Sequence, residues 1–368
     1  MPAPAIAVDV TPLQNAHRYR GIGTYVRGLA QRLAAQSDVP IEFWGWAGQE
    51  RFEAPPPHRV VDLSRFPMPE YRGAWLFAQL AMKSRAARSK VRAVHITDPD
   101  ALTPLGGRKL LATVYDLIPL KQALRGHGLI TRAGYRTYLR ALRQVDTLFA
   151  ISDQTAADLV RMLDVPANQV LVARPGIDLP PSSGQKLNPA RPYFLFLGGP
   201  NPNKNLSVVL DAMAICKELP EELRIAGHWL PKQVGALDIR LSAQGLRDRV
   251  RYVGFVPGSE LAGLMQEATA LIIASLYEGF GLPAGEGLAA GAFVVHSRIP
   301  VLEEVSAGAA LTFDPESAED LAACLRRAAG DSQLQKDLRL RGISRGKELT
   351  WDAAVETTLT AYRAAMSR

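Results

Sequence analysis

The sequence predicts an α/β fold made of two doubly wound domains. Short apolar strand segments alternate with helical segments, which is typical of parallel sheets covered by helices. A stretch rich in proline and glycine at 175–192 interrupts this alternation, and the same pattern then begins again. With 368 residues, the chain is also long enough for two domains with separate cores.

The first half carries the first round of strands and helices. Continuous apolar segments predict strands at 6–10, 41–46, 93–97, 110–115 and 147–151. Helical periodicity predicts a helix over 23–35. Ser152 can cap a helix that begins at Asp153, because a short hydroxyl side chain accepts a hydrogen bond from the first turn.

The second half repeats the pattern. Strands are predicted at 193–197, 223–226, 250–253, 271–274 and 293–296. A helix begins at Leu206, and an amphipathic helix occupies 351–368. We therefore expect domains at 1–185 and 186–350, with 351–368 returning to the first domain. Two such domains facing a central cleft would bind ligands at their strand ends.

The composition indicates a globular protein of a reducing compartment. Hydrophobic residues make up 47% and charged residues 21%. No apolar run is long enough for a bilayer and no signal peptide is visible, so a cytoplasmic location is predicted. Cys216 and Cys324 are expected to be buried thiols, and no metal-type His/Cys cluster exists.

Positive charge is concentrated in the first half, with +10 for residues 1–150 and −3 for the rest. Basic residues mix with apolar ones over 72–92, and an arginine stripe recurs at helical spacing, at Arg132, Arg136, Arg140 and Arg143. Solvated helix faces and an anionic lipid partner both fit this pattern. We predict peripheral contact with an anionic membrane surface, at the inner face of the plasma membrane. No recognition motif accompanies the charge, so no nucleic acid partner is expected.

The segment from Glu278 to Glu286, EGFGLPAGE, is the most informative part of the chain. It follows a buried strand, and Pro283 suits the first position of a helix. Gly279 and Gly281 leave backbone amides open at that helix N-terminus, which attracts anions. A carboxylate on each side would repel an anion, so each is expected to face sugar hydroxyls. A diphosphate with a sugar at both ends is a nucleotide-sugar.

Several segments together resemble retaining GT-B glycosyltransferases of family 4. They are RGIGTY at 20–25, TVYDLIP at 113–119, AISD at 150–153, PNKNL at 202–206, RVRYVGF at 249–255, SLYEGFGLP at 275–283 and LEEV at 302–305. Their order and spacing together carry this resemblance. The glycine-rich turn with Lys204-Asn205 and the LEEV segment look most like those of bacterial mannosyl- or rhamnosyltransferases of surface polysaccharide assembly. The resemblance covers most of the chain and implies two Rossmann-like domains.

The resemblance also implies roles for single residues. Glu278 would contact the donor sugar, Glu286 the nucleotide ribose, and Lys204 the donor diphosphate. Asp116 lies at a strand end and is a third catalytic candidate beside Glu278 and Lys204. Further donor contacts are implied for Gly23, Gly198, Gly199, Gly279, Phe280, Gly281 and Leu282.

Two positions differ from the family pattern, and one further segment looks like a known metal-binding motif. Gly199 stands where many family members have an arginine, and Arg174 is one candidate to replace it. Tyr115 stands where a histidine often precedes the aspartate, and tyrosine carries no positive charge. Asp98-Pro-Asp100 looks like a metal-binding Asp-x-Asp motif, but we interpret it as a loop.

The sequence thus predicts a retaining transferase that moves a hexosyl group, with mannose or rhamnose favoured, to a glycan or a lipid-diphosphate-linked acceptor. The donor is expected to be a GDP-sugar, and no metal or other cofactor is expected. A UDP-glucose-type transferase is the alternative. An epimerase or phosphorylase-like enzyme and a catalytically silent partner protein are further alternatives.

Overall fold

A computed structural model describes residues 6–19, 21–47, 52–64, 74–121, 129–179 and 191–367. The chain folds into two compact units. The first consists of residues 1–176 and 351–368, and the second of residues 177–350. The predicted domain boundary at 185/186, like most of the predicted linker, lies outside the described residues.

The first unit contains a parallel sheet of seven strands. The strands are β1 (Ile6–Asp9), β2 (Ile41–Gly45), β3 (Arg59–Asp62), β4 (Ala93–Ile96), β5 (Lys109–Val114), β6 (Thr147–Ala150) and β7 (Val170–Val172). Its α-helices are α1 (Gly21–Gln36), α2 (Ala74–Arg88), α3 (Ile118–Lys121), α4 (Leu129–Leu142) and α5 (Asp153–Leu163). The last helix of the chain, which we number α13 (Asp352–Met366), also belongs to this unit.

The second unit contains a parallel sheet of six strands. They are β8 (Tyr193–Leu197), β9 (Glu222–Ala226), β10 (Val250–Gly254), β11 (Ala270–Ile273), β12 (Val294–Ser297) and β13 (Leu311–Phe313). Its helices are α6 (Leu206–Ile215), α7 (Pro231–Ala243), α8 (Gly258–Glu267), α9 (Leu282–Ala290), α10 (Pro300–Ser306), α11 (Ala318–Gly330) and α12 (Ser332–Glu348).

Both sheets reverse their strand order once. The order is β3-β2-β1-β4-β5-β6-β7 in the first sheet and β10-β9-β8-β11-β12-β13 in the second. The chain therefore leaves β1 and β4, and likewise β8 and β11, toward opposite sides, and this opens a crevice at their carboxyl ends. Such a switch point is where open α/β sheets bind ligands.

The central strands form because they are apolar on both faces and covered by helices on both sides. β1, β4 and β11 are buried throughout, and β8 is buried over its first four residues. Helices are held against them through small residues. A Cβ at Gly287 would lie 2.3 Å from Leu271 Cδ2, so α9 packs directly on β11.

All ten predicted strands are present, but three further strands, β3, β7 and β13, were missed. β3 and β7 lie at the two edges of the first sheet, and β13 lies at an edge of the second. They have three or four residues and are only partly buried, so they lack the continuous apolar run of a central strand.

The predicted helix starts are largely confirmed. Ser152 caps α5 by accepting a hydrogen bond from Thr155 N at 3.1 Å, and α6 begins at Leu206. α1 begins two residues earlier than predicted. Pro283 is the second residue of α9 rather than the first.

Cys216 and Cys324 are free and buried, as predicted. Within the described residues, no helix combines the length and the apolar character that crossing a bilayer requires.

Candidate active site

The loops that follow β8 and β11 are joined to one another at the switch point of the second sheet. Asn203 Nδ2 donates to the carbonyl of Tyr277 at 2.6 Å, and Leu276 N donates to the carbonyl of Asn203 at 2.9 Å. Asn201 begins the first loop by accepting a hydrogen bond from Asn203 N at 2.9 Å. These hydrogen bonds hold the two loops that carry Lys204 and Glu278 in place.

Lys204 and Glu278 form an ion pair at this point. Lys204 Nζ lies 2.6 Å from Glu278 Oε1, and Ser275 Oγ donates to the same oxygen at 2.6 Å. The side chains are 26% and 13% exposed, so the pair is open to a ligand from one side. The structure thus brings together two residues that are 74 positions apart in the chain. Ser275 was not singled out from the sequence, although it lies in the SLYEGFGLP segment.

The glycine turn after β8 lies beside this pair. Gly198 packs against the stem of Lys204, because a Cβ at Gly198 would lie 3.3 Å from Lys204 Cγ. Trp229 Nε1 donates a hydrogen bond to the Gly198 carbonyl oxygen at 2.9 Å. A Cβ at Gly199 would meet no atom within 4 Å, so the turn is open at this residue.

Gly281 begins α9 in a conformation that needs glycine. Its φ is +91°, and it is the N-cap of the helix. A Cβ there would also lie 2.5 Å from Leu302 Cδ2. Phe280 is buried just before it, and Leu282 begins the helix. The first turn of α9, with the Gly279 loop leading into it, therefore presents backbone N–H groups next to Glu278.

Glu286 lies one turn inside α9 and is partly exposed. Burial of its carboxylate raises its pKa. Among the described residues, no hydrogen bond is found to this carboxylate. A half-buried carboxylate without donors is costly, and hydroxyl groups of a ligand would relieve that cost.

The other predicted site residues lie in the first unit. Gly23 is in the first turn of α1, where a Cβ would lie 2.6 Å from the carbonyl oxygen of His17, so the glycine is needed for backbone packing. Asp116 follows β5. Its carboxylate accepts a hydrogen bond at 2.9 Å from the backbone N–H of Ile118, the first residue of α3. Arg174 pairs with Asp153 at 2.5 Å.

A buried carboxyl pair at the switch point of the first unit was missed from the sequence. Asp9 ends β1 and accepts four hydrogen bonds, from Thr11 N, Thr11 Oγ1, Thr97 N and Asp98 N, at 2.7 to 3.1 Å. Asp98 follows β4 and is 1% exposed. The interpretation of Asp98-Pro-Asp100 as an ordinary loop was therefore incomplete, because Asp98 is a core residue that caps the 3₁₀ turn Pro99–Ala101.

The environment of Asp98 favours its neutral form. Burial, followed by the negative charges of Asp9 and Asp100, raises the pKa of Asp98 to about 8. His17, Asp98 and Asp100 also place one potential ligand atom each within 4.8 Å of the others. This is the one group with metal-site spacing found among the described residues.

Comparison with known proteins decides the family. The family model described as "Glycosyltransferase Family 4" matches residues 19–180. The family model described as "Glycosyl transferases group 1" matches residues 182–345. The chain belongs to the group 1 glycosyltransferases. The family that was predicted from the sequence is thereby confirmed.

Relatives of this glycosyltransferase include mannosyltransferases of Escherichia coli. It is 27% identical to O-antigen chain mannosyltransferase B over 61% of this chain and 62% of the relative. It is 25% identical to the serotype-specific mannosyltransferase WbdA over 66% of this chain and 32% of the relative. The match thus spans less than two thirds of either relative. A D-inositol 3-phosphate glycosyltransferase of Arthrobacter is 27% identical over 95% of this chain and 91% of its own.

Solved structures confirm the fold of the transferase. Sucrose-phosphate synthase from Thermosynechococcus elongatus has a TM-score of 0.82 at 21% identity and covers 99% of each chain. Anabaena HepE in complex with UDP and glucose has a TM-score of 0.75 at 14% identity, covering 98% of this chain and 100% of its own. The fold is the GT-B fold of two Rossmann-like domains, as predicted.

Proposed function

We propose that this glycosyltransferase moves a hexosyl group, with mannose or rhamnose favoured, from a nucleotide diphosphate sugar to a glycan or lipid-linked acceptor in surface polysaccharide assembly. The observation that carries the proposal is the Lys204–Glu278 ion pair at the switch point, next to the open first turn of α9. The relatives named as mannosyltransferases support mannose, and GDP is therefore the favoured nucleotide.

The charges of this site fit a nucleotide-sugar. Lys204 and the N-terminus of α9 supply positive potential for the diphosphate. Glu278 is placed to accept hydrogen bonds from the hexose, and Glu286 from the ribose hydroxyls. In the free protein Glu278 neutralises Lys204 at 2.6 Å, and the diphosphate would take over that role when the donor binds.

The proposed reaction proceeds with retention at the anomeric carbon. The acceptor oxygen bonds to C1 on the face from which the diphosphate leaves, and the C1–oxygen bond to the diphosphate breaks. The acceptor proton passes to the departing phosphate oxygen. The protein stabilises the developing negative charge through Lys204 and α9, while Glu278 stabilises the positively charged sugar. No metal ion is part of this proposal.

A donor panel tests the proposal. The full chain is incubated with GDP-mannose, a rhamnose nucleotide and UDP-glucose, together with extracted lipid-linked glycans, in buffer with and without EDTA. We expect GDP-mannose to give a new glycan whose anomeric NMR signal has the donor configuration, and we expect EDTA to have no effect. If only UDP-glucose gave transfer, the donor would be UDP-glucose and the proposal of GDP-mannose would be wrong. Release of free nucleotide or an epimerised sugar, with no new glycan, would contradict transfer.

The exposed face of α2 supports contact with an anionic membrane surface. Leu76 and Leu80 are 53% and 57% exposed and lie one turn apart. Lys83 continues the same side of the helix and is exposed, and Arg88 is exposed in its last turn. An apolar strip next to basic side chains fits the headgroup region of acidic lipids.

Replacing Leu76 and Leu80 with serine is expected to weaken binding to anionic vesicles several-fold, because both side chains lose their apolar contact with lipid. Flotation with phosphatidylglycerol vesicles measures this, and phosphatidylcholine vesicles give the uncharged comparison. Leu340→Ser is the matched control, since Leu340 is 68% exposed in the second unit. Equal flotation of the wild type with both lipids would remove the membrane proposal.

A further inference from the structure

The hydrogen bond that Ser275 donates to Glu278 belongs to a chain of hydrogen bonds that continues into the interior of the second unit. Ser275 follows β11 and is 1% exposed, and Ser297 ends β12 and is fully buried. β11 and β12 pair in parallel with Ile273 opposite His296, so both serines lie at the same end of the sheet. Ser297 Oγ donates to the Ser275 carbonyl oxygen at 2.5 Å. A buried side chain thus holds the backbone of Ser275 from behind.

The directions of these hydrogen bonds follow from His296. Burial lowers the pKa of His296, which favours the neutral ring. Its Nδ1 lies 2.9 Å from the carbonyl oxygen of Ser297, which can only accept, so Nδ1 carries the ring proton. Nε2 then accepts a hydrogen bond from Ser306 Oγ at 2.9 Å. Each group behind Ser275 therefore has a fixed partner, and the one hydroxyl proton of Ser275 goes to Glu278 Oε1.

The two groups that donate to Glu278 reach the same oxygen atom. Lys204 Nζ and Ser275 Oγ each lie 2.6 Å from Oε1, and no hydrogen bond from the described residues reaches Oε2. Oε2 therefore remains for a ligand. In the proposed reaction Lys204 turns to the diphosphate when the nucleotide-sugar binds, whereas Ser275 is too deeply buried to follow a ligand. Ser275 is then the group that keeps Oε1 in place.

We propose that Ser275 is a positioning residue of the transferase, whose hydroxyl group holds Oε1 of Glu278 so that Oε2 faces the hexose, and that Ser297 holds Ser275 in turn. This inference rests on the proposed transferase function and deepens it. A carboxylate that rotates freely spends part of its time turned away from the positive charge that develops on the sugar, and a fixed carboxylate stabilises that charge better. Ser275 thus acts on the reaction through Glu278, without touching the sugar.

Two substitutions at Ser275 separate the effect of the hydroxyl group from the effect of its volume. Ser275→Ala removes the hydroxyl group, and Ser275→Cys nearly keeps the size of the side chain but replaces the hydroxyl with a weak hydrogen-bond donor. We expect both variants to lower kcat about ten- to hundredfold, the effect of losing one hydrogen bond to a charged group. Initial rates are measured with GDP-mannose, or with the nucleotide-sugar of the panel that gives transfer.

A double variant shows whether Ser275 acts through Glu278. In Glu278→Ala protein there is no carboxylate to position, so adding Ser275→Ala should lower turnover by less than about twofold further. Binding of GDP alone involves no hexose, so Ser275→Ala should leave the Kd of GDP unchanged in calorimetric titrations. A general distortion of the site would instead weaken GDP binding and lower turnover in both backgrounds.

Ser317→Ala is the matched control for stability. Ser317 belongs to the same unit, and its hydroxyl group caps α11 by accepting a hydrogen bond from Asp320 N at 3.1 Å. Its loss should lower the melting temperature and leave kcat unchanged. Ser297→Ala removes the hydrogen bond to the Ser275 carbonyl, and it should lower kcat by a smaller factor than Ser275→Ala does.

Wild-type kcat in folded Ser275→Ala protein would overturn the inference. Wild-type kcat in Ser275→Cys alone would also overturn it, because Ser275 would then only fill space. If Ser275→Ala fails to fold, the cysteine variant decides the question, since its volume is close to that of serine. Absence of transfer by the wild type from every nucleotide-sugar of the panel would refute the proposed function itself. An active wild type with an equally active Ser275→Ala protein would remove this inference alone.

Discussion

Replacing Lys204 with alanine is expected to lower turnover by about 10²–10³, the usual effect of losing one preorganised electrostatic contact. Glu278→Gln is expected to have a similar effect, because it removes the negative charge that faces the sugar. The two side chains lie 2.6 Å apart and serve one ligand, so the double variant should lose less than the product of the single losses. Initial rates with saturating donor measure these effects.

Lys217→Ala is the control for this series. Lys217 is exposed in the same unit and belongs to none of the loops of the site, so its loss should leave turnover unchanged. Denaturation curves for every variant separate loss of activity from loss of folding. Near-wild-type turnover in folded Lys204→Ala and Glu278→Gln proteins would contradict the assignment of the active site.

The stability of the wild type relative to Asp98→Asn is expected to fall between pH 5 and pH 8. The pKa of Asp98 is raised from 3.8 to about 8 by burial and by the charges of Asp9 and Asp100. In this window the folded chain holds a proton that the unfolded chain has released, so rising pH favours unfolding by on the order of 1.4 kcal/mol per pH unit. The contribution of Asp98 to the free energy of unfolding is complete at a pH below its pKa in the unfolded chain. It is lost as the pH rises through its pKa in the folded chain.

Urea denaturation of the wild type and Asp98→Asn across this range measures the difference. Asparagine keeps the shape of the neutral acid and does not titrate, so the variant lacks this slope. The other titratable groups facing Asp98, namely Asp9, Asp100, His17 and Tyr115, are present in both proteins. Asp146→Asn, at an exposed carboxylate of the same unit, should follow the wild type. Parallel pH profiles for the wild type and Asp98→Asn would contradict a protonated Asp98.

The central strands and the start of α9 could be predicted because their signals are local. β8 and β11 are continuous apolar runs, and the glycines and Pro283 mark the start of α9 within a few residues. The family resemblance implied that Lys204 and Glu278 serve the same ligand, but it did not predict the ion pair between them. Ser275 was missed because a serine at the end of a strand gives no signal of its own.

The buried carboxyl pair of the first unit could not be predicted because it depends on the order of strands in the sheet. Asp9 and Asp98 are 89 positions apart, and only the pairing of β1 with β4 brings them together. From the sequence, Asp98-Pro-Asp100 is a short acidic turn. Its burial follows from the helices that cover this sheet, which local spacing does not report.

The most direct test of the account is a crystal structure of the protein with GDP or UDP bound. We predict that the diphosphate lies within hydrogen-bond distance of Lys204 Nζ and the first turn of α9, and that the ribose hydroxyls donate to the Glu286 carboxylate. A nucleotide bound elsewhere, with the Lys204–Glu278 pair intact and Glu286 without a ligand, would contradict it.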